Sequence, residues 1–345
     1  MRRTSRRVLP NGYRHVADLG EGGQASVVLA KVTRTEESGK VVEEEVAVKC
    51  YERGLLAQRN RRNRVRREVC NLRRLRHPHI VLFRTLKVTQ TDLCVVMEYQ
   101  KGGTLENLLR RSGKLSESTA RSYFQQLWFA VDFAHQMGVS NRDIKPANVL
   151  FRSENEDYLV LCDFGLSKYE HSLQGPSAVG TRGYGAPELM LPSGRRWTAE
   201  DLQRADAYSC GVTLFQMLFG VEHWPRYAPP ARATQDQNQP PNHMEVIRSL
   251  MGDDRQEIEF PGGPSSVSGS CAELLTGLLQ PNPRLRTMVG QIPTQEWFSR
   301  GLPEGTTGFN AMLLDAHNNG EVQNNHLPGE PQLIRLINEA AGVAQ

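Results

Sequence analysis

The stretch NRDIKPAN at 141–148 constrains this chain more than any other part of its 345-residue sequence. It places a carboxylate (Asp143), a cation two residues later (Lys145) and an amide five residues later (Asn148) in one short segment. The triplet DFG at 163–165 follows the apolar run YLVLC and supplies a second carboxylate. These are the groups that phosphoryl transfer needs: a proton acceptor, a cation for the migrating group and oxygen ligands for Mg²⁺.

A glycine-rich segment near the N terminus indicates the same chemistry. Residues 20–27, GEGGQASV, approximate G-x-G-x-x-G-x-V, with alanine at the third glycine position. Glycine lets backbone amides approach phosphates closely, although a plain hairpin turn uses glycine equally well. Lys49 ends the run VAVK, and strand alternation points it and Ala47 to one face, toward the glycine segment.

The segment 53–76 carries ten arginines and a single acid, Glu68. An isolated acid in such a basic segment favours a specific partner, and Lys49 is the natural one. The arginines are typical either of a solvated helix face or of a basic surface for a phosphorylated partner or segment. The sequence leaves both interpretations open.

The composition is that of an ordinary globular chain, 39% hydrophobic and 23% charged. A net charge of +4 is too small to indicate nucleic acid, and no apolar run approaches the ~20 residues of a membrane helix. Six cysteines without C-x-x-C or zinc spacing are typical of reduced thiols. We therefore expect a soluble protein of the cytoplasm, the nucleus or both, with no membrane or nucleic-acid partner.

The hydrophobic pattern divides the chain into two halves. Residues 13–32 alternate around the glycine cluster as in a hairpin, and EEVAVKCY and LCVVMEY are typical of strands. Helical spacing appears at 60–76 and dominates from 115 onward. A β-rich half joined near residue 100 to a larger helical half predicts an α+β fold of two lobes with a cleft between them.

Two further motifs, GT at 180–181 and APE at 186–188, close the segment after DFG. The whole set, in this order, resembles the eukaryotic protein kinases over about residues 13–300. The resemblance implies the two-lobed protein kinase fold. Its parts would be a basic tail (1–12), a kinase domain (13–300) made of a small β-rich N-lobe (13–97), a hinge (98–103) and a larger helical C-lobe (104–300), and a C-terminal tail (301–345).

The resemblance also implies a role for each residue of the catalytic segment. Asp143 would be the catalytic base, and Lys145 would contact the γ-phosphoryl group of ATP. Asn148 and Asp163 would hold Mg²⁺. A lysine two residues after the base, together with Thr181, resembles the serine/threonine branch of the family.

The same resemblance implies how ATP would be bound. Lys49 would hold the α- and β-phosphates and pair with Glu68. Met97 would be the gatekeeper, followed by the adenine-binding hinge at 98–100. The remaining ATP-binding residues implied are Leu19, Gly20, Glu21, Gly22, Gly23, Gln24, Ala25, Ser26, Val27, Ala47, Glu98, Gln100 and Leu150. Two structural features are implied as well, a buried ion pair of Glu188 with Arg286 and support of the catalytic segment by Asp206.

Several further stretches narrow the resemblance, among them RHPHIV, ARSYFQQL, CDFGLSK and WFSRGLP. They resemble the plant sucrose-non-fermenting-related kinases of the second subfamily, within the calmodulin-dependent superfamily. This implies protein substrates and a function in stress or nutrient signalling.

The C-terminal tail carries an apolar stripe at 331–342, where Leu333, Ile334, Leu336 and Ile337 recur at helical spacing. Twelve residues are too few for a helix that is stable alone, so the stripe must dock. By resemblance to the subfamily, it would dock on the outer face of the helix at 60–76 and regulate activity. The alternative is a disordered end or a contact in an oligomer.

Ser177 would be the regulatory serine, because it stands three residues before Gly180, where the subfamily carries its activating serine. An upstream kinase or autophosphorylation would modify it. The phosphate would then meet three cations: Arg142, Lys168 and Arg64. The alternative is an ordinary loop serine.

Departures from the family pattern leave other interpretations open. Asn141 stands where the family has histidine, and Ala25 stands at the third glycine position; together they allow a catalytically silent scaffold of the same fold. Thr104 and Ala147 replace acids that read a basic residue of the substrate, which predicts a weak preference for upstream arginine unless Glu106 substitutes.

A calmodulin-regulated kinase is another interpretation. It would need a basic amphipathic helix after residue 300, and the tail helix has only Arg335.

Overall fold

A computed structural model of the protein describes residues 8–22, 25–35, 38–164, 168–169, 183–190, 197–220, 252, 257–321 and 327–343. They form two compact units, one within 1–101 together with 320–345 and one within 102–319. The first is built on an antiparallel sheet and the second on helices, which confirms the predicted α+β class. The unit boundary falls inside the predicted hinge at 98–103.

The sheet of the first unit has five strands among the described residues, in the order β1-β2-β3-β5-β4. The strands are β1 (Tyr13–Glu21), β2 (Ser26–Thr35), β3 (Val41–Glu52), β4 (Phe83–Val88) and β5 (Asp92–Glu98). All neighbouring strands run antiparallel. The predicted hairpin at 13–32 is the β1–β2 pair.

Strand β3 has one apolar face and one face that carries Lys49, because side chains alternate along a strand. Val46, Val48 and Cys50 are buried in an apolar cluster on one face. Lys49, between them in sequence, belongs to the opposite face. Val27 pairs with Lys49 across the β2–β3 ladder, so the glycine turn that precedes β2 lies beside the end of β3 that carries the lysine.

Two helices follow β3, the short α1 (Arg53–Leu56) and α2 (Arg59–Arg74). Helix α2 buries one face, and Glu68 is on that face with Val65, Val69 and Leu72. The arginine-rich remainder is half-buried or exposed. The helix ends two residues before the predicted Arg76, because Leu75 leaves the helical conformation (ψ 88°) and is fully buried.

The tail helix α10 (Glu330–Ala340) packs against α2, β4 and β5 within the same unit. It completely buries Leu333 and Ile337, two members of the predicted apolar stripe. At its start, burial and the neighbouring Glu330 raise the pKa of the Cys70 thiol on α2 to about 11. The structure therefore confirms the prediction that the tail docks on α2.

Two arginines fasten the ends of α10 by hydrogen bonds that the sequence does not reveal. Arg53 donates from Nε to the carbonyl of Ala340 (2.9 Å) and from Nη2 to that of Glu339 (3.1 Å). These carbonyls belong to the last turn of the helix, where a cation is favoured by the helix dipole. Near the other end, Arg73 donates from Nε to the carbonyl of Pro328 (2.6 Å), two residues before α10 begins.

The second unit consists of helices with short strand pairs that shape its loops. The helices are α3 (Leu105–Ser112), α4 (Glu117–Gln136), α5 (Pro187–Met190), α6 (Ala199–Phe219), α7 (Gly269–Leu278), α8 (Glu296–Ser299) and α9 (Phe309–Asn318). The strand pairs are β6 (Val139–Ser140) with β9 (Lys168–Tyr169) and β7 (Val149–Phe151) with β8 (Leu159–Leu161). Helices α4 and α6 pack against each other in the core.

Residues 301–345, predicted as one tail, divide between the two units. Helix α9 joins the helical unit because buried Asn310 donates to the carbonyl of Phe129 (3.0 Å) and to Oδ2 of Asp132 (2.8 Å) on α4. Burial raises the pKa of Asp132. Helix α10 joins the sheet unit instead. Within the described residues, no helix has the length and apolarity needed to span a membrane.

Candidate active site

The phosphate-binding lysine predicted from the sequence is paired with the predicted acid. Nζ of Lys49 lies 2.7 Å from Oε1 of Glu68, joining β3 to α2. The side chain of Glu68 is only 3% exposed. A carboxylate in such a buried position needs a compensating charge, and Lys49 supplies it.

Tyr51 is a second partner of Glu68 that the sequence reasoning missed. Its hydroxyl donates to Oε2 of Glu68 at 2.6 Å, and its ring centroid lies 5.6 Å from Nζ of Lys49. The signal was present in the sequence, since alternation along β3 puts Tyr51 on the same face as Lys49.

The glycine segment forms the turn between β1 and β2. Leu19, Gly20 and Glu21 end β1, while Ser26 and Val27 begin β2. Inside the turn, the amide of Gly22 donates to the carbonyl of Ala25 at 2.9 Å. Gly23 and Gln24, also predicted to bind ATP, lie outside the described residues.

Of the residues predicted to line the adenine site, most lie on neighbouring strands of the sheet unit. Ala47 on β3 pairs directly with Met97 on β5, and Glu98 follows at the end of β5. The amide of Glu98 donates to the carbonyl of Leu82 at 2.9 Å. Leu150 lies on β7 of the helical unit.

Gln100 provides a test of whether this region suits a nucleotide. It is 5% exposed, and neither its amide nitrogen nor its amide oxygen has a hydrogen-bond partner among the described residues. A buried amide with an unused donor and an unused acceptor is destabilising unless a ligand, a water molecule or another residue satisfies it. A purine edge presents matching acceptors and donors. The residues present therefore fit ATP.

The catalytic segment folds on itself in the helical unit. Nζ of Lys145 lies 2.7 Å from Oδ2 of Asp143. A 3₁₀ turn at Pro146–Asn148 brings Asn148 back, so that Nδ2 donates to the carbonyl of Asp143 (2.8 Å) and to its Oδ2 (3.0 Å). The lysine and the amide thereby orient the carboxylate of Asp143.

The same bonds decide which atom of Asn148 remains for a metal ion. Both hydrogens of its amide nitrogen are used by Asp143, which leaves Oδ1. Asp163, the second predicted ligand, follows β8 through Cys162, whose amide donates to the carbonyl of Asn148 at 2.9 Å. An amide oxygen and a carboxylate are ligands that Mg²⁺ prefers, so the donor set fits this ion.

Asp206, on α6, anchors the catalytic segment as the resemblance implied. This fully buried carboxylate accepts from the amides of Arg142 (Oδ1, 2.7 Å) and Asn141 (Oδ2, 2.8 Å). Nε2 of His135 on α4 lies 2.8 Å from the same Oδ2. His135 is another residue that sequence reasoning did not single out.

Asn141, the main departure from the family pattern, uses both ends of its amide. Oδ1 accepts from the amide of Asp143 at 3.0 Å, and Nδ2 donates to the carbonyl of Asp163 at 3.2 Å. Arg142 (φ 70°) and Asp163 (φ 57°) are the non-glycine residues with positive φ in the described chain. One amide therefore holds the backbone at both strained positions.

The predicted ion pair between Glu188 and Arg286 is present and buried. Nη1 and Nη2 of Arg286 lie 2.7 and 2.9 Å from Oε1 and Oε2 of Glu188. Such a bidentate pair fixes the orientation of both groups. It attaches α5, which begins inside the APE motif, to the segment after α7.

The regulatory residues predicted around Ser177 are only partly described. Ser177 lies outside the described residues, and Lys168 is described only as part of β9. Arg64 belongs to α2 in the sheet unit. Burial of Arg67, and to a smaller extent the nearby charge of Arg64, lowers the pKa of Arg67. Arg142 belongs to the helical unit.

Of the residues predicted to govern substrate choice, Thr104 and Glu106 have contacts of their own. The Thr104 hydroxyl accepts from the amide of Asn107 (3.0 Å) and caps the N terminus of α3. Glu106 forms an exposed ion pair with Arg110, with 3.4 Å between Oε2 and Nη2.

Comparison with known proteins decides the family. The protein kinase domain matches residues 13–298, most of the chain. This chain belongs to the protein kinase family. The kinase is 36% identical over 95% of its length to the serine/threonine-protein kinase SAPK4 of Oryza sativa subsp. japonica, covering 83% of that protein.

Two further relatives confirm the predicted branch and subfamily. The kinase is 35% identical over 95% of its length to SRK2E of Arabidopsis thaliana and to SRK2A of Physcomitrium patens, covering 82% and 84% of those proteins. Both are named serine/threonine-protein kinases. The kinase is accordingly a protein serine/threonine kinase with the two-lobed protein kinase fold.

Proposed function

We propose that this kinase transfers the γ-phosphoryl group of ATP to serine and threonine hydroxyls of proteins in stress or nutrient signalling. The observation that carries the proposal is the catalytic segment, in which Lys145 and Asn148 both bind Oδ2 of Asp143. A carboxylate held in this way is positioned to accept the proton of a substrate hydroxyl.

The remaining roles follow from the contacts of each residue. Lys49 would hold the α- and β-phosphates, and its bond to Glu68 fixes the ammonium group in advance. Asn148 and Asp163 would hold Mg²⁺ through oxygen atoms. Bound Mg²⁺ would neutralise charge on the β- and γ-phosphates.

The scaffold alternative rested on Asn141 and Ala25, and the contacts of Asn141 favour an active enzyme. The amide keeps the donor to the Asp163 carbonyl and adds an acceptor for the amide of Asp143. No group that the proposed chemistry requires is lost by the exchange of histidine for asparagine.

The proposal includes activation by phosphorylation of Ser177, which rests on the subfamily resemblance. A phosphate there would attract Arg142, Lys168 and Arg64 and order the surrounding segment. Phosphopeptide mapping of active enzyme is expected to find phosphate on Ser177. Active enzyme modified on Ser172, with Ser177 untouched, would refute this part.

We further propose that the kinase prefers upstream arginine only weakly. Thr104 is used as a helix cap, and Glu106, an acid that could substitute, already pairs with Arg110. Neutral Ala147 adds no charge for a guanidinium. A peptide-library screen with a sharp arginine requirement at the third upstream position would contradict the proposal.

The proposed function is tested by labelling a general acceptor protein such as casein with [γ-³²P]ATP and Mg²⁺. Lys49→Met should reduce the initial rate by about 10²-fold or more, because the positive charge that would contact the phosphates is lost. Lys87→Met, a change of the same type at an exposed position on β4, is the matched control and should retain the wild-type rate. Equal rates for both variants would contradict the role of Lys49.

A further inference from the structure

Tyr51 and Lys49 bind different oxygens of the Glu68 carboxylate. Lys49 takes Oε1 at 2.7 Å, and the Tyr51 hydroxyl takes Oε2 at 2.6 Å. Tyr51 and Glu68 are both almost completely buried, at 4% and 2% exposure. Neither oxygen of the carboxylate therefore depends on water for a partner.

The second bond matters because α2 offers Glu68 competing partners. The helix carries eight arginines, and Arg64 lies one turn before Glu68, where helical side chains are neighbours. A carboxylate held by Lys49 alone could turn toward the arginines when Lys49 moves. The Tyr51 hydroxyl opposes this turn, because it holds Oε2 on the side of β3.

Tyr51 also acts on Lys49 directly. Nζ of Lys49 lies 5.6 Å from the centroid of the Tyr51 ring, within the range of a cation–π contact. The strand keeps the two side chains on one face, so the ring restricts where the ammonium group can go.

We propose that Tyr51 is a positioning residue for nucleotide binding: it fixes Glu68, and through Glu68 the ammonium of Lys49, before ATP binds. The inference rests on the proposed function, because it assigns Lys49 to the phosphates of ATP. Tyr51 does not touch the reacting atoms. It acts by reducing the rearrangement that binding requires.

The test compares Tyr51→Phe in the full chain with wild type. The variant keeps the ring and removes only the hydroxyl. The matched control is Tyr123→Phe in the helical unit, because Tyr123 is also 4% exposed and also donates to a carboxylate, Asp157, at 2.6 Å. The dissociation constant of a non-hydrolysable ATP analogue with Mg²⁺ is measured well below the melting temperature of each variant.

Tyr51→Phe is expected to raise that dissociation constant about tenfold, since a hydrogen bond to a charged group is lost. The KM for the acceptor protein should stay unchanged, and Tyr123→Phe should bind the analogue like wild type. In a Glu68→Ala background the effect of Tyr51→Phe should disappear, because Tyr51 acts through Glu68. A purely structural role would lower the melting temperature without changing nucleotide affinity.

An unchanged dissociation constant for Tyr51→Phe overturns the inference, as does an equal effect in the Glu68→Ala background. The binding measurement also separates this inference from the proposed function. A wild-type chain that binds the analogue but transfers no phosphoryl group refutes the function. The comparison of affinities then still decides the role of Tyr51.

Discussion

The catalytic segment and the Lys49–Glu68 pair are built in opposite ways. Asp143, Lys145 and Asn148 are near neighbours in sequence and contact one another within one loop. Lys49 and Glu68 are 19 residues apart and meet because a strand and a helix pack together. The first arrangement is mostly local, whereas the second depends on tertiary structure.

This difference predicts where each region is vulnerable. The catalytic segment is attached to helix α6 by two hydrogen bonds to the buried carboxylate of Asp206. The Lys49–Glu68 pair depends on the position of α2, and α2 is packed against the tail helix α10. Changes far along the chain should therefore affect Lys49 and Glu68 more than the catalytic segment.

The largest effect is expected for the carboxylates of the catalytic segment. Asp143→Asn removes the proton acceptor, and Asp163→Asn removes charge from the metal site, so each should lower kcat by about 10³-fold or more. Asp315→Asn, at an exposed position on α9, is the control and should not change kcat. Steady-state rates near wild type for Asp143→Asn or Asp163→Asn would show that the roles are misassigned.

Removal of the buried carboxylate of Asp206 should have the next largest effect. Asp206→Ala leaves the amides of Asn141 and Arg142 without their acceptor, so we expect a loss of about 3–5 kcal/mol in the free energy of unfolding. The control is Asp201→Ala on the same helix α6, which removes an exposed N-terminal capping contact and should cost only about 1 kcal/mol. Urea unfolding measures both, and an equal loss would contradict the special place of Asp206.

The tail helix tests the remote dependence of the Lys49–Glu68 pair. Ile337→Ala creates a cavity beneath α10 and should cost about 2–5 kcal/mol of unfolding free energy in the sheet unit. Nucleotide affinity should fall with it, because α2 carries Glu68. Arg335→Ala, exposed on the same helix, should change stability by less than about 0.5 kcal/mol.

A truncation makes the same point more broadly. A chain ending at Gly320 lacks α10 and is expected to have a lower melting temperature and a lower specific activity than the full chain. If it equals the full chain in both measurements, the tail does not brace α2.

The smallest effect is expected at Asn141. Asn141→Asp keeps an acceptor for the amide of Asp143 but places an oxygen against the Asp163 carbonyl, which should lower kcat/KM about tenfold. Asn141→His restores the family residue and its donor, so kcat/KM should remain within about threefold of wild type. A lower kcat/KM for Asn141→His than for Asn141→Asp would contradict the role given to the Asn141 amide.

The sequence was sufficient for the local parts of this molecule and insufficient for several long-range contacts. The catalytic segment could be predicted because its functional residues, Asp143, Lys145 and Asn148, occur at fixed spacing in one loop. The pairing of Lys49 with Glu68 was predicted because Glu68 is the single acid among many arginines. The bond from Tyr51 to Glu68 was missed, since a buried tyrosine on a strand is usually core packing.

The fastening of the tail shows the same limit. The apolar stripe of α10 and its docking on α2 could be inferred from periodicity and resemblance. The bonds from Arg53 to the carbonyls of Ala340 and Glu339 could not, because nothing in a basic segment distinguishes one arginine from another. Such contacts become visible only when residues hundreds of positions apart are brought together.

The most direct test of the account is phosphoamino-acid analysis after incubation of the purified chain with [γ-³²P]ATP, Mg²⁺ and an acceptor protein. Asp163→Ala, in which the carboxylate of the metal site is lost, serves as the parallel sample. We predict Mg²⁺-dependent label in phosphoserine and phosphothreonine for the wild-type chain and almost none for Asp163→Ala. A folded, nucleotide-binding wild-type chain without label, or equal label in both proteins, would contradict the account.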